Sequence, residues 1–521
     1  MSRPTTVGLL AVALAMVLLA GCTVGPSQRP SLATYGTGQT EVAGTAPSSV
    51  PVGPGGPGQR ADPISWEACP DVDRVDRTTG LSFDVDCASV VVDRSSPNSF
   101  GDPAVEIARA RADGVPEDAP AVVVVRGRPG ENGRSAVASV AAGLSPAIRE
   151  HFAVITVDLV GTGQSGPIDC LSGYDERAFM TLGIDPTESA SATALAELSR
   201  SLTFECGDLA GPELSTVNST AAADDLDALR SALGASTLTF IGQGYGATLG
   251  AVYADRYPGR LGAAVLDAPA DPLDDLDARA AAIAVAAEKS LDTFAAACAD
   301  FDGGCPLGND PRGQIQKAVS TLDDAPGAGP GLGTTNGGSV LLTLLLRLGD
   351  LDGWPELATA LAAAAKGNGE PIQDMLTEEL GGQDAEWLGS AIIYACNDSA
   401  LRISPDQMTT AVENIKQQAP LLGPYTVGLV GICTSWPAPE AALGAVKATG
   451  SAPILVAGAV QDPLAPYQAV QSLAGQLASA TLISWQSGEH GSYPDSPCVS
   501  KAVDAYLLTG ELPAVGSLCP P

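Results

Sequence analysis

The chain is 521 residues long and carries 60 acidic against 27 basic residues, a net charge of -33. That charge repels nucleic acid and anionic headgroups, so a nucleic-acid-binding role is excluded, and the acidic residues are scattered as on a solvated surface rather than blocked. With 45% hydrophobic residues the chain can bury a large core, and eleven cysteines beside only two histidines favour disulfides over a metal site. No cofactor is expected.

In chain order, Arg3 opens a positive start, residues 7–19 form an apolar run too short to span a bilayer, and Leu19-Ala20-Gly21-Cys22 follows. A small-residue cleavage site ending in cysteine resembles a bacterial lipobox. Residues 1–21 are therefore expected to be a signal peptide, with Cys22 the lipidated first residue of the mature protein on the outer face of the cell membrane. Residues 22–60 are rich in Gly, Pro, Ser and Thr and lack hydrophobic periodicity, as in a flexible tether. Order is expected from about Trp66. The ten remaining cysteines fall as chain neighbours: Cys69 and Cys87, Cys170 and Cys206, Cys298 and Cys305, Cys396 and Cys433, Cys498 and Cys519. Five local bridges are the simplest framework, although spacing alone does not fix the pairing.

Strand-like runs occur at 89–93, 121–125, 153–158, 238–241, 263–267, 453–458 and 480–485, several of them nearly continuous in apolar residues, as expected for central parallel strands. Helical patterns alternate with them, notably at 222–233. This alternation predicts a mostly parallel, doubly wound α/β sheet. Between 273 and 423 the pattern turns to Ala- and Leu-rich helices (278–299, 339–348, 354–365) interrupted by a Gly/Pro-rich break at 326–331. The expected organisation is a core in two parts, 61–272 and 424–521, with a helical cap inserted between them.

Gly242-Gln243-Gly244-Tyr245-Gly246 sits between a strand and a helix, the context of a Gly-x-Ser-x-Gly nucleophile elbow, but Gly244 stands where the serine belongs. Downstream, Asp462 follows one strand, and Glu489-His490 follows the next. The order nucleophile, acid, histidine is that of α/β hydrolases. His490 is the candidate base and Asp462 its acid; Glu489 is an alternative acid, though adjacent residues on a tight loop point apart. His151 reads as a surface or edge residue. The oxyanion donors are expected from the Tyr245 N–H and the early loop Arg126 to Gly133, which contains Arg128. Neither Thr248, a helical turn beyond the elbow, nor Ser165, in a strand-end turn, offers a replacement nucleophile.

These motifs resemble the secreted, tripeptidyl-aminopeptidase-like branch of the proline-iminopeptidase α/β hydrolases. The matching stretches are Cys69 through Cys87, Asp158 with Gly161 to Ser165, Thr220 through Ala232, Leu266-Asp267, Asp462-Pro463, His490-Gly491 and Cys498 through Cys519. The resemblance spans the chain from about Trp66 to Cys519 and implies an α/β-hydrolase fold with a characteristic C-terminal domain. It also implies exopeptidases or esterases acting on free N-termini or envelope substrates. The chain departs from the family pattern at Gly244, at Arg128 and Asn132 in the early loop, and at Val160 after Asp158. Two functions follow from this. One is a catalytically impaired protein binding a peptide, lipid or protein partner in the old cleft, tethered to the membrane through Cys22. The other is an active serine-hydrolase-type exopeptidase or esterase.

Intact-mass analysis should show a mature chain beginning at a lipid-modified Cys22, and Cys22→Ala should leave the precursor uncleaved. An unmodified Cys22 in the wild-type protein would overturn the lipoprotein expectation.

Overall fold

The structure, a computed structural model, describes residues 64–92, 103–131, 133–329, 333–380, 387–439 and 441–521. The expected signal peptide and tether, Cys22 and Asn132 lie outside the described residues.

Runs such as Ala-Val-Val-Val-Val and Ala-Val-Ile-Thr-Val-Asp are β-branched and apolar on both faces, so they are stable only as strands covered from both sides. They form β4 (Ala121–Val125) and β5 (Ala153–Asp158). Before them in the chain come β1 (Glu67–Ala68), β2 (Asp84–Val91) and β3 (Ala104–Arg111). After them come β6 (Leu238–Gln243) and β7 (Leu261–Asp267), and a small separate hairpin of β8 (Gly327–Gly329) and β9 (Gly333–Thr335). Then follow β10 (Ile454–Ala459), β11 (Ala480–Trp485) and β12 (Ser517–Cys519). Except for the hairpin they join in one sheet of order β1-β2-β3-β5-β4-β6-β7-β10-β11-β12. Pairing is antiparallel from β1 to β5 and parallel from β5 through β12.

Successive strand residues feed opposite layers. Val123, Ile155, Phe240, Leu266 and Val456 enter one core, while Val124, Val154, Ile241, Val265 and Leu455 enter the other. That alternation follows from the two-residue period of a strand and gives the doubly covered sheet expected from the sequence. The chain has the α/β-hydrolase architecture.

The cap differs in extent from its expected limits. Its helices begin with Leu276–Ala297 and run on past residue 423, through Gly423–Gly428 and the short Leu429–Cys433 turn, before the sheet resumes at Ile454. Two helices that precede the elbow, Gly173–Met180 and Ser189–Ala210, pack against this layer as well. Residues 424–433 are apolar and buried because they pack on the helix Leu276–Ala297, which makes them part of the cap. The Gly/Pro-rich break forms the β8–β9 hairpin, with residues 330–332 outside the description.

The five disulfides join chain neighbours: Cys69–Cys87, Cys170–Cys206, Cys298–Cys305, Cys396–Cys433 and Cys498–Cys519. Cys396–Cys433 closes a 37-residue separation inside the cap. Replacing both cysteines with Ala should lower unfolding stability by about 2–4 kcal/mol in denaturant titration. An unchanged midpoint, or peptide mapping without reduction that links either cysteine elsewhere, would refute this pairing.

Candidate active site

The site is built on the turn from β6 into the helix Tyr245–Arg256. Gly244 holds φ 56° and ψ -119°, a left-handed conformation that costs a side-chain-bearing residue on the order of 1–3 kcal/mol. Its glycine neighbours are required by space: a Cβ on Gly246 would lie 2.0 Å from the Val125 carbonyl oxygen, and one on Gly242 would lie 2.3 Å from that of Gly246. The elbow is therefore intact as a piece of backbone. A Cβ on Gly244 would lie 3.8 Å from His490 Nε2 and 3.0 Å from the Gly127 carbonyl oxygen. Residue 244 thus faces the histidine, and as glycine it lacks both the Cβ and the hydroxyl of a serine.

His490 follows β11 and Asp462 follows β10, so the C-terminal ends of two adjacent parallel strands bring them together. His490 Nδ1 lies 3.0 Å from each Asp462 carboxylate oxygen. The fully buried carboxylate also accepts the N–H groups of Leu464, Ala465 and Gly491, which fixes its orientation toward the His490 ring. Glu489 points elsewhere, toward the Leu351 N–H, and burial pushes its carboxyl up to about 7. For His490, burial works against the imidazolium, but the Asp462 carboxylate outweighs it and Asp267 adds to that pull. The net result holds His490 above the ordinary histidine value. The other hydroxyls near the elbow are engaged in structure. Thr248 Oγ1 accepts the Ala270 N–H at 3.0 Å, and Ser165 Oγ donates to the Asp158 carbonyl at 2.7 Å. His151 lies exposed on the turn before β5, edge-on to Phe152.

The oxyanion side differs from expectation. The Tyr245 N–H, which an α/β hydrolase keeps for the developing oxyanion, donates to the Gly127 carbonyl at 2.9 Å. Arg128 turns its guanidinium toward the cap. Its guanidinium stacks over Trp387, 4.6 Å from the ring centre, and pairs with Glu379 at 3.4 Å, both on cap helices. The reason is electrostatic and local: an acidic carboxylate and an aromatic face on the cap offer the cation better partners than the apolar turn does. Val160 meets the same cap helix, Trp387–Asp398, where the Tyr394 hydroxyl donates to the Val160 carbonyl at 3.1 Å.

A functional residue that sequence reasoning left without a role is Asp267, at the end of β7. Its carbonyl accepts the Gly244 N–H at 2.9 Å, and its fully buried carboxylate accepts the Ser492 and Tyr493 N–H groups, each at 2.8 Å. One residue therefore fixes both the elbow and the histidine loop. The signal available was positional: Asp267 ends β7 much as Asp462 follows the adjacent β10. Above the elbow opens a cleft of about 490 Å³, lined by Gly244, His490, Arg126, Asp76, Glu131 and Asp495 among others. Among the described residues, no cluster of side chains has the composition and spacing to hold a metal ion.

Residues 419–519 match the family described as TAP-like protein. The chain is 26% identical over 481 residues to the serine protease Hip1 of Mycobacterium tuberculosis, covering 88% of this chain and 91% of that protein. It is 27% identical over 413 residues to carboxylesterase B of the same species, with coverage of 75% and 79%. It is 26% identical over 373 residues to a tripeptidyl aminopeptidase of Streptomyces lividans, covering 69% of each chain. Among solved structures, proline iminopeptidase of Mycobacterium smegmatis aligns with a TM-score of 0.34 at 14% identity, covering 80% of this chain and 97% of that one.

With only two histidines in the chain, the His490 ring can be followed by NMR once His151→Gln identifies the other signal. Its titration midpoint should lie above the ordinary histidine value and fall in Asp462→Asn. A folded value above the unfolded one means that protonated His490 contributes stability below the unfolded midpoint. That contribution fades as pH rises through the folded midpoint. A midpoint insensitive to Asp462→Asn would show that the pair is not coupled.

Proposed function

The chain carries a TAP-like domain on an α/β-hydrolase fold and has Hip1 and the tripeptidyl aminopeptidases as homologues, and from that premise we propose that it is a lipid-anchored envelope protein that uses a hydrolase cleft for binding rather than for turnover. The observation that carries this reading is Gly244, whose missing side chain faces an otherwise assembled His490–Asp462 pair. Without a hydroxyl at position 244, the elbow gives His490 no side-chain nucleophile to deprotonate and no atom to carry an acyl group. The engaged Tyr245 N–H supports the same reading, because the donor for a tetrahedral oxyanion is already bonded.

The five disulfides support an extracytoplasmic site of action, and the lipobox supports anchoring through Cys22. Asp76, Glu131 and Asp495 in the cleft outnumber Arg126, which favours a polar or cationic peptide end over an acyl chain as the occupant. The second reading, an active exopeptidase or esterase, is favoured by the retained Asp462–His490 hydrogen bonds, which a binding protein does not need.

A fluorophosphonate probe separates the two. Labelling requires a serine oxygen to attack phosphorus and expel fluoride while its proton passes to His490 Nε2. The native chain should remain unlabelled and release no aminoacyl or tripeptidyl groups from chromogenic substrates, since loss of a triad serine costs about 10⁶ in turnover in a well-studied protease. Gly244→Ser should acquire slow labelling. Robust turnover by the native chain that disappears in His490→Ala would overturn the binding reading and establish direct activation of water.

A further inference from the structure

The loop that reaches over the elbow is a thin wall between two voids. On one side lies the 490 Å³ cleft, and on the other a cavity of about 200 Å³ behind the loop, floored by Val125, Val157 and Leu159; Arg126 and Glu131 line both. Gly127 and Gly130 have φ of 65° and 93°, so the loop changes direction at two residues that lack a side chain to obstruct rotation. The loop has room to move and the backbone freedom to do so.

Two contacts hold it in place. At the elbow, the Gly127 carbonyl takes the Tyr245 N–H. At the cap, Arg128 stacks on Trp387 and pairs with Glu379, whose other oxygen lies 3.3 Å from Arg347 at the end of the cap helix Gly337–Arg347. The Gly130 backbone is pressed onto the same layer, where a Cβ would come within 2.6 Å of Ser390 Cβ. Two cap helices therefore grip the loop through one arginine, and a third holds Glu379 in place through Arg347.

We propose that the Gly127–Arg128 peptide is a gate on the elbow's anion site, held shut by the Arg128–Trp387–Glu379 clamp. In the shut position an acceptor, the Gly127 carbonyl, occupies the point that an oxyanion would take. Turning this peptide over removes the acceptor and presents the Arg128 N–H to the same point, converting a filled site into one with two donors. The cap thereby controls the elbow's anion site through the loop. The gate belongs to the loop, whether or not residue 244 carries a hydroxyl.

The test is hydrogen exchange read at the Tyr245 amide in the full mature chain. Shut, this amide is protected; Arg128→Ala and, separately, Glu379→Gln should raise its exchange by about tenfold or more while amides deeper in the elbow helix, such as Leu249, keep theirs. If Arg128→Ala raises exchange throughout the protein, it reports unfolding, and Glu379→Gln decides. Unchanged exchange at Tyr245 in a folded variant overturns the gate. Fluorophosphonate labelling in the Gly244→Ser background adds a chemical readout: opening the gate should speed it by about tenfold or more, because one oxyanion donor is worth roughly 10²–10³ in rate. Equal labelling rates with and without Arg128→Ala also overturn it. Should no Gly244→Ser form label, the hydrolase chemistry assigned to residue 244 fails, while the exchange result still decides the gate.

Discussion

The constraint on which the rest of the structure depends is the contact of the elbow with the neighbouring strand, where Gly246 lies directly under the Val125 carbonyl. This contact leaves no room for a side chain, so it fixes how closely the helix Tyr245–Arg256 approaches β4. That approach in turn sets where the loop after β4 must run and which atom it presents to the elbow. In a serine hydrolase the strain at the apex of such a turn is retained because the exposed hydroxyl needs it. Here the apex is glycine, which accepts φ 56° without strain, so the turn persists on packing alone.

The sheet and the candidate site were legible in the sequence to different degrees. Central strands such as β4, β5 and β11 are self-declaring, because a run of β-branched residues buried on both faces has no stable alternative. Asp462 and His490 could be placed because each follows such a strand in the right order. β3 was missed because Ala-Val-Glu-Ile-Ala-Arg-Ala-Arg mixes helix formers with charge, and only antiparallel pairing along all of β2 makes it a strand. The length of the cap was misjudged because residues 424–433 are short, Gly-containing and aperiodic, yet buried by tertiary packing. Arg128 was read as part of the oxyanion loop; its partners Trp387 and Glu379 lie more than 250 residues away, a distance across which sequence alone gives no orientation.

The cap helix Trp387–Asp398 ties the chain's distant loops together. Ser390 donates to the Gly161 carbonyl, Tyr394 to that of Val160, and Asn397 to those of Leu214 and Val217, while Asp398 accepts from Ser219. Ser219 is in turn hydrogen-bonded to the Tyr245 hydroxyl at 2.8 Å. Two positions that depart from the family pattern, Arg128 and Val160, are therefore both contacts of this one helix. Burial pushes the Asp398 carboxyl up to about 6, against the opposing effect of its Ser219 hydrogen bonds and the nearby Arg279 charge.

Asp267 has a different kind of consequence. Its carbonyl secures the elbow and its carboxylate secures the histidine loop, so the two halves of the candidate site are braced by atoms outside the His490–Asp462 pair. None of these bracing contacts involves a side chain at position 244. The same braces serve a chain with glycine or with serine at the apex. Such a scaffold uncouples the shape of the cleft from the chemistry at its apex, so that the two can diverge under separate selection.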